Sequence, residues 1–168
     1  MFKATDYPSD KKEMYALLLA QAKALMEGER HPLPHMANLS ALLYQALSNV
    51  NWAGFYLVEG ETLMLGPFCG KPACLRIPKG KGVCGTAWAT KTLMRIEDVH
   101  QFPGHIACDG ESNSEIVLPL TYQGNVLGVL DIDSPIKNRF DAIDEEGLQT
   151  IVSAFLESID VRDEMRLI

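Results

Sequence analysis

The segment IVLPLTYQGNVLGVLDI, residues 116–132, predicts a β-hairpin and decides the fold class. Two apolar runs, Ile116 to Tyr122 and Val126 to Ile132, flank the turn residues Gln123-Gly124-Asn125. Short runs rich in Val, Ile and Leu on either side of a glycine turn are typical of paired antiparallel strands. The centre of the chain is therefore predicted to hold an antiparallel sheet.

Further strands are predicted upstream of this hairpin. Trp52 to Val58 and Leu63 to Phe68 form a second hairpin around Glu59-Gly60, and short strands are expected at 75–77 and 93–96. The sheet therefore has about six strands. A short helix is expected near 83–90, and residues 97–114 lack apolar periodicity, which indicates a long loop of the kind that often carries function.

Helical periodicity is confined mainly to the two ends of the chain. The segment 9–48 predicts two helices, the first opening at Asp10 in a capping box with Glu13 and the second running from about Pro34 to Ser48. The segment 141–162 predicts a last helix with Asp141 as its N-cap.

Strands between terminal helices indicate an α+β fold in one domain, residues 1–168, with the sheet and site in 51–134. We expect the terminal helices to cover one face of the sheet. The long loop and the short helix would cover the other face and form a ligand pocket there.

Composition narrows the range of partners. Of the 168 residues, 47% are hydrophobic and 22% are charged, and the formal net charge is −7, which disfavours nucleic acid and anionic membrane surfaces. No apolar run reaches the roughly 18 residues of a membrane span, and the N-terminus lacks an apolar signal core. These features predict a cytoplasmic protein whose thiols are kept reduced.

Three cysteines, Cys74, Cys84 and Cys108, lie in separate glycine-punctuated segments. No pair has the two-residue spacing of a zinc knuckle or a dithiol redox motif, so neither a metal nor a cofactor is predicted. Their loop-like context indicates thiol chemistry more than packing. The fourth, Cys69, ends a strand-like run and is interpreted as structural or incidental.

Residue chemistry alone favours Cys84 as the attacking thiol. It lies at a predicted helix start beside Lys79 and Lys81, where the pKa of a thiol is expected to fall.

Aromatic and acidic side chains are candidates for lining the pocket. Strand alternation places Trp52, Gly54 and Tyr56 on one face, where the two rings are either half-buried packing residues or a wall around a small apolar group or cation. Asp131 and Asp133 share a face at a strand end. With Glu115 nearby, they need a ligand ammonium, a metal or a shared proton, unless they are simply solvated turn caps.

Five segments closely resemble the free methionine-(R)-sulfoxide reductases, which are single GAF-domain enzymes. They are residues 51–57 (NWAGFYL), 76–85 (RIPKGKGVCG), 105–109 (HIACD), 112–117 (SNSEIV) and 128–134 (GVLDIDS). The resemblance runs from about residue 36 to residue 156 in the same order. It implies a GAF fold, reduction of the free amino acid through an intramolecular disulfide, recycling by thioredoxin, and a homodimer.

The resemblance also implies roles for the cysteines. The Cys108 position is the attacker, Cys74 the resolver and Cys84 a supporting residue, which conflicts with the helix-start argument. One departure is Cys69, which stands where the family pattern has Gln between Phe68 and Gly70. This extra thiol puts the identity of the disulfide partner in question.

A free amino acid substrate would use the remaining candidates. Glu115, Asp131 and Asp133 would hold its ammonium, with one of them protonated to serve the sulfoxide oxygen. Backbone N–H groups of Ile106, Ala107 and Cys108 would hold its carboxylate, and Trp52 with Tyr56 would box its methyl group. His105, three residues before Cys108, is either a proton donor or a surface loop histidine. Two other functions remain open, a small-molecule-sensing module without turnover and a zinc or redox-sensor protein that uses the same thiols.

Overall fold

The structure, a computed structural model, describes residues 6–104 and 110–161. The predicted positions Ile106, Ala107 and Cys108, with His105, lie outside the described residues, as does the predicted end of the last helix at 162.

Four α-helices and six strands follow one another along the described chain. In order they are α1 (Lys11–Met26), α2 (Pro32–Ala46), β1 (Trp52–Glu59), β2 (Thr62–Gly70), β3 (Arg76–Pro78), α3 (Gly82–Thr90), β4 (Met94–Ile96), β5 (Ser114–Tyr122), β6 (Asn125–Ser134) and α4 (Ala142–Ser158). A 3-10 turn, Val99–Gln101, lies in the segment that follows β4. The α+β prediction and both hairpins are confirmed.

The six strands form one sheet in the order β3-β2-β1-β6-β5-β4, and every neighbouring pair is antiparallel. The two hairpins β1–β2 and β5–β6 meet at the centre, where Phe55 on β1 is paired with Leu130 on β6. The strand ends that carry residues 52 and 133 therefore lie side by side.

Two hydrophobic clusters lie on opposite faces of the sheet, as strand alternation predicts. In the larger one, α2 and α4 pack against the face that presents Ala53, Phe55 and Leu57, and α1 packs on α4 and α2. The smaller one packs α3 against the face that presents Trp52 and Tyr56. The expectation that the terminal helices cover one face and the short helix covers the other is confirmed.

Local capping sets the helix ends. The Asp10 side chain accepts from the Glu13 backbone N–H at the start of α1, and Asp141 and Asp144 form a reciprocal capping box at the start of α4. The second helix begins at Pro32, two residues earlier than predicted, because the His31 side chain accepts from the Leu33 backbone N–H and caps it.

The last helix ends at Ser158, earlier than the predicted boundary at 162. The chain leaves the helix here because the backbone N–H of Asp160 donates to the Arg30 carbonyl and the Arg30 guanidinium pairs with the Asp160 carboxylate. Within the described ranges, no helix has the length and apolar character needed to cross a bilayer.

Candidate active site

The candidate site is built on the end of the sheet face that α3 covers. Three neighbouring strands contribute to it, because Trp52 on β1 is paired with Asp133 on β6, and Asp133 is paired in turn with Glu115 on β5. Gly54, paired with Asp131, belongs to the same face. Two aromatic rings and three carboxylates predicted from the sequence are thus brought together.

The aromatic residues stack on one another. The ring centroids of Trp52 and Tyr56 are 5.8 Å apart, and those of Trp52 and Phe68 are 5.2 Å apart. Both predicted rings are buried, with only 2% of Trp52 and 1% of Tyr56 exposed, which is deeper than the half-burial considered from the sequence and compatible with both a packing role and a pocket wall. Their polar tips are anchored, since Trp52 Nε1 donates to the Lys71 carbonyl at 3.1 Å and Tyr56 Oη to the Cys74 carbonyl at 3.0 Å.

Gly54 lets the aromatic stack close. A Cβ atom built on it would lie 2.3 Å from Cβ of Phe68 and 2.7 Å from the Trp52 ring. Both distances are shorter than real Cβ contacts, so no larger residue fits without displacing the ring or the β2 backbone. Phe68 was missed as a site residue, although alternation along β2 places it on this face.

The carboxylates are buried as well. Glu115 and Asp131 are each only 5% exposed, and Asp133 is partly buried. The interpretation of Asp131 as a solvated turn cap is therefore wrong. Its Oδ1 atom is buried and has no hydrogen-bond partner among the described residues.

Burial and mutual repulsion decide which of these acids holds a proton. Burial raises the pKa of Asp131 to about 6, although hydrogen bonds to Cys84 and Glu115 lower it in part. Burial, together with the negative charges of Asp131 and Asp133, raises the pKa of Glu115 well above its usual range. Of these two acids, Glu115 has the more strongly favoured neutral form, and Asp131 ionises more readily.

Cys84 is the third residue of α3 and points into the acidic cluster. Its Sγ lies 3.8 Å from Glu115 Oε1, and the residue is only 3% exposed. Burial, followed by the charges of Asp131 and Glu115, raises the pKa of this thiol well above its usual range. The expectation that the helix start lowers this pKa is wrong, since desolvation and two acids oppose the helix dipole.

The lysines near Cys84 do not reverse this effect. The Nζ atom of Lys79 lies 4.8 Å from the centre of the Trp88 ring, in a cation–π contact, and Lys81 is exposed at the N-cap of α3. Sequence proximity suggested that these charges face the thiol.

The other cysteines differ in the face they occupy. Cys74 is half-buried, packs against the smaller cluster and forms a disulfide. Cys69 is a free thiol paired across the sheet with Ala53, which belongs to the larger, helix-covered cluster. Directly opposed residues in an antiparallel pair point to the same face. Cys69 therefore points away from the candidate site.

The loop between β4 and β5 is fastened at its two ends. Asn113 Oδ1 lies 3.1 Å from His100 Nε2, and Asn113 Nδ2 donates to the Pro135 carbonyl at 2.8 Å. The Asn51 side-chain amide donates to the Ser112 hydroxyl at 3.1 Å. These contacts hold the start of β5, and so Glu115, against β6. No periodicity or spacing in the sequence indicated them.

One group of potential metal ligands stands out among the described residues. Donor atoms of Cys84, Glu115 and Asp131 all lie within 4.8 Å of one another. A separate open depression of about 530 Å³ lies between the ends of α1 and α4 and is lined by none of the predicted site residues.

The fold and the residues at this end of the sheet define a GAF-domain protein, since the family described as GAF domain matches residues 36–159. The free methionine-R-sulfoxide reductase of Escherichia coli (strain K12) is 58% identical over 144 residues, covering 86% of this chain and 87% of that protein. This chain belongs to the family of free methionine-R-sulfoxide reductases.

Solved structures agree with this assignment. The structure of fRMsr of Staphylococcus aureus in complex with substrate is 48% identical, with a TM-score of 0.84, and the match covers 93% of this chain and 99% of that one. The free methionine-R-sulfoxide reductase of Neisseria meningitidis, also in complex with its substrate, is 39% identical with a TM-score of 0.89, covering 94% and 95% of the two chains.

Proposed function

We propose that this protein reduces free L-methionine (R)-sulfoxide to methionine, using its own cysteines as the immediate reductant. Family membership supports the reaction. The structural observation that carries it is the buried acidic cluster of Glu115, Asp131 and Asp133 beside the stacked rings of Trp52 and Tyr56. Such a site matches a small molecule with a cationic end and an apolar end.

The acidic cluster supports recognition of an ammonium group. A buried carboxylate oxygen without a partner costs on the order of 1–3 kcal/mol, which a donor from the ligand would recover. Asp131 Oδ1 is such an oxygen among the described residues. The free amino acid carries the required –NH₃⁺ group, whereas the same nitrogen in a peptide is a neutral amide. The substrate is therefore the free amino acid, and Asp133 assists Asp131 in holding it.

The raised pKa of Glu115 supports its role as the proton donor. An acid that keeps its proton to a higher pH than an ordinary carboxyl can pass that proton to the sulfoxide oxygen as the S–O bond breaks. Asp131, which ionises at a lower pH than Glu115, then keeps the charge that the ammonium needs. Glu115 thus serves as the proton donor and Asp131 as the ammonium-binding carboxylate.

The thiols supply the two electrons. The Cys108 thiol attacks the sulfoxide sulfur, methionine leaves, and the oxygen remains on Cys108 as a sulfenic acid. The Cys74 thiol then condenses with that sulfenic acid, releasing water and forming a disulfide. Cys74 is disulfide-bonded while Cys69 and Cys84 are free thiols, which supports Cys108 as the partner of Cys74. An external dithiol, thioredoxin, reduces this disulfide and completes the cycle.

Cys84 acts as a supporting residue in this scheme. Its raised pKa argues against attack by its thiolate, and its 3.8 Å contact places it to donate to Glu115. The backbone N–H groups of Ile106, Ala107 and Cys108 hold the substrate carboxylate, and the rings of Trp52 and Tyr56 enclose the methyl group. The protein acts in the cytoplasm as a homodimer.

The test is the consumption of free methionine sulfoxide by the purified protein with dithiothreitol, followed by chromatography of the two epimers. We expect the R epimer alone to be converted to methionine. N-acetylmethionine sulfoxide is the matched control, because it keeps the sulfoxide and loses the positive charge. No methionine formation, or equal turnover of the acetylated compound, would show that the proposal is wrong.

A further inference from the structure

We propose that Cys84, Glu115 and Asp131 also form a binding site for a borderline-soft divalent cation such as Zn²⁺, and that this cation competes with the substrate ammonium. The three residues come from α3, β5 and β6, and each is at least nine-tenths buried. Cation binding does not depend on the proposed function, whereas the competition rests on it.

The spacing of the donor atoms fits a zinc ion. With Zn–S of about 2.3 Å and Zn–O of about 2.0 Å in a tetrahedron, sulfur and oxygen ligands lie about 3.5 Å apart. The Cys84 Sγ atom lies 3.8 Å from Glu115 Oε1, and all three donor atoms lie within 4.8 Å of one another. The Cys84–Glu115 separation is within a few tenths of an ångström of this value, and side-chain rotations of at most about 1.5 Å would bring the other two pairs together around one ion.

An independent observation indicates that the cluster is ready to accept a cation. Asp131 is 5% exposed, and its Oδ1 has no hydrogen-bond partner among the described residues. A coordinated ion would supply the missing interaction. Three ligands that can each carry a negative charge also require a positive charge when they are buried together.

The chemistry of the donors selects the kind of ion. A thiolate with two carboxylates suits Zn²⁺ or Co²⁺, whereas Mg²⁺ and Ca²⁺ prefer all-oxygen sites with more ligands. Asp131 belongs to both the proposed ammonium site and the cation site. The two ligands therefore cannot occupy the cluster together, and zinc is expected to act as a reversible competitive inhibitor.

The test uses Co²⁺ as the probe, because a cobalt–thiolate bond gives a charge-transfer absorption in the near ultraviolet. The variant C69S/C74S/C108S keeps Cys84 as its one thiol and cannot turn over substrate. We expect this variant to develop the band in the presence of Co²⁺ and to lose it when Zn²⁺ is added, with Mg²⁺ having no effect. Circular dichroism establishes that the variant is folded.

The matched control adds C84S to the same background, and a second variant adds D131N. We expect the first to show no band and the second to bind Co²⁺ at least tenfold more weakly. A folded triple variant without the band, or a band that persists in the C84S control, overturns the proposal.

Competition is measured on the same triple variant. Methionine sulfoxide at ten times its dissociation constant should raise the apparent dissociation constant for Co²⁺ about elevenfold. A cobalt affinity that does not change in saturating methionine sulfoxide overturns the shared site. Turnover by the metal-free wild-type protein is scored separately, so failure of the cation site is distinguishable from failure of the proposed enzyme activity.

Discussion

Glu115 on β5 is the direct cross-strand partner of Asp133 on β6, so two acidic side chains face each other across neighbouring strands. Like charges in directly opposed positions destabilise a sheet. The arrangement is tolerated because burial and the neighbouring acids favour the neutral form of Glu115. Replacing Asp133 therefore changes the charge that the substrate meets, whereas replacing Glu115 with Gln removes its acidic proton.

Asp133→Asn should lower the catalytic efficiency for free methionine sulfoxide about tenfold to hundredfold. The physical reason is the loss of a charge-assisted hydrogen bond to the ammonium, which is worth on the order of 1.5–3 kcal/mol. Steady-state kinetics measures the effect, and a melting temperature within a few degrees of wild type establishes that the fold is intact. If Asp131→Asn, Asp133→Asn and Glu115→Gln all keep wild-type efficiency, the ammonium role is refuted.

A single-turnover experiment should distinguish the roles of the two proposed redox cysteines. Cys108→Ser should release no methionine, because no sulfenic acid can form. Cys74→Ser should release about one equivalent per site and then stall, because the resolving thiol is missing. Methionine released by prereduced protein without added dithiol gives the count. Normal turnover in Cys108→Ser, with the first equivalent lost in Cys84→Ser, would instead identify Cys84 as the attacker.

Cys69→Ser should leave turnover within about twofold of wild type, because Cys69 points to the helix-covered face of the sheet. Peptide mapping after oxidation with substrate should find Cys74 linked to Cys108. A recovered peptide that joins Cys69 to Cys108 would make the unusual thiol the resolver and would require a large movement of β2.

The raised pKa of Asp131 predicts a specific pH dependence of stability. A carboxyl whose pKa is about 6 in the folded protein and about 4 in the unfolded chain binds more protons when folded. The unfolding free energy therefore falls as the pH rises from about 4 to 6. Glu115, whose pKa is also raised, contributes a fall of the same sign. Asp131→Asn should therefore make the fall shallower and gain stability relative to wild type, on the order of 2–3 kcal/mol by about pH 6.

Asp141→Asn provides the contrasting control for this measurement. Although partial burial opposes it, the hydrogen bond from Lys11 lowers the pKa of Asp141 to about 2. The contribution of Asp141 to the unfolding free energy is therefore lost only as the pH falls below about 4. Between pH 4 and 6 this contribution should stay nearly constant. Urea denaturation at several pH values gives both profiles, and parallel profiles for wild type and Asp131→Asn would contradict the assignment.

Gly54→Ala should destabilise the protein by about 1–3 kcal/mol and weaken substrate binding, because the added methyl group overlaps Phe68 and Trp52. Gly110→Ala is the matched control, since no atom of the residues that the structure describes lies within 4 Å of the Cβ it would add. Its unfolding free energy should stay within about 0.5 kcal/mol of wild type. Equal effects of the two substitutions would show that the aromatic stack tolerates expansion.

Much of the fold could be predicted from the sequence because it is encoded locally. Alternation along β1 placed Trp52 and Tyr56 on one face, and the i, i+2 spacing placed Asp131 and Asp133 together. The properties that failed depend on contacts between distant segments. The pKa of Cys84 follows from burial against Asp131 and Glu115, neither of which is near it in sequence.

The end of the last helix illustrates the same limit. Its apolar stripe continues to Ile159, but the contact of Asp160 with Arg30 stops the helix. Arg30 and Asp160 are 130 residues apart in the chain, and no sequence pattern around either residue indicates that they pair.

The sheet separates the chemistry from the part of the protein that sustains the fold. Among the described residues, the helix-covered cluster contains neither Cys74 nor Cys84, and both belong to the smaller cluster on the other face. Over-oxidation of Cys74, which is half-buried, would therefore disturb the edge of the smaller cluster and leave the larger one packed. Such a molecule would have lost its proposed resolving thiol while keeping its main core, so spent enzyme would stay folded beside working enzyme.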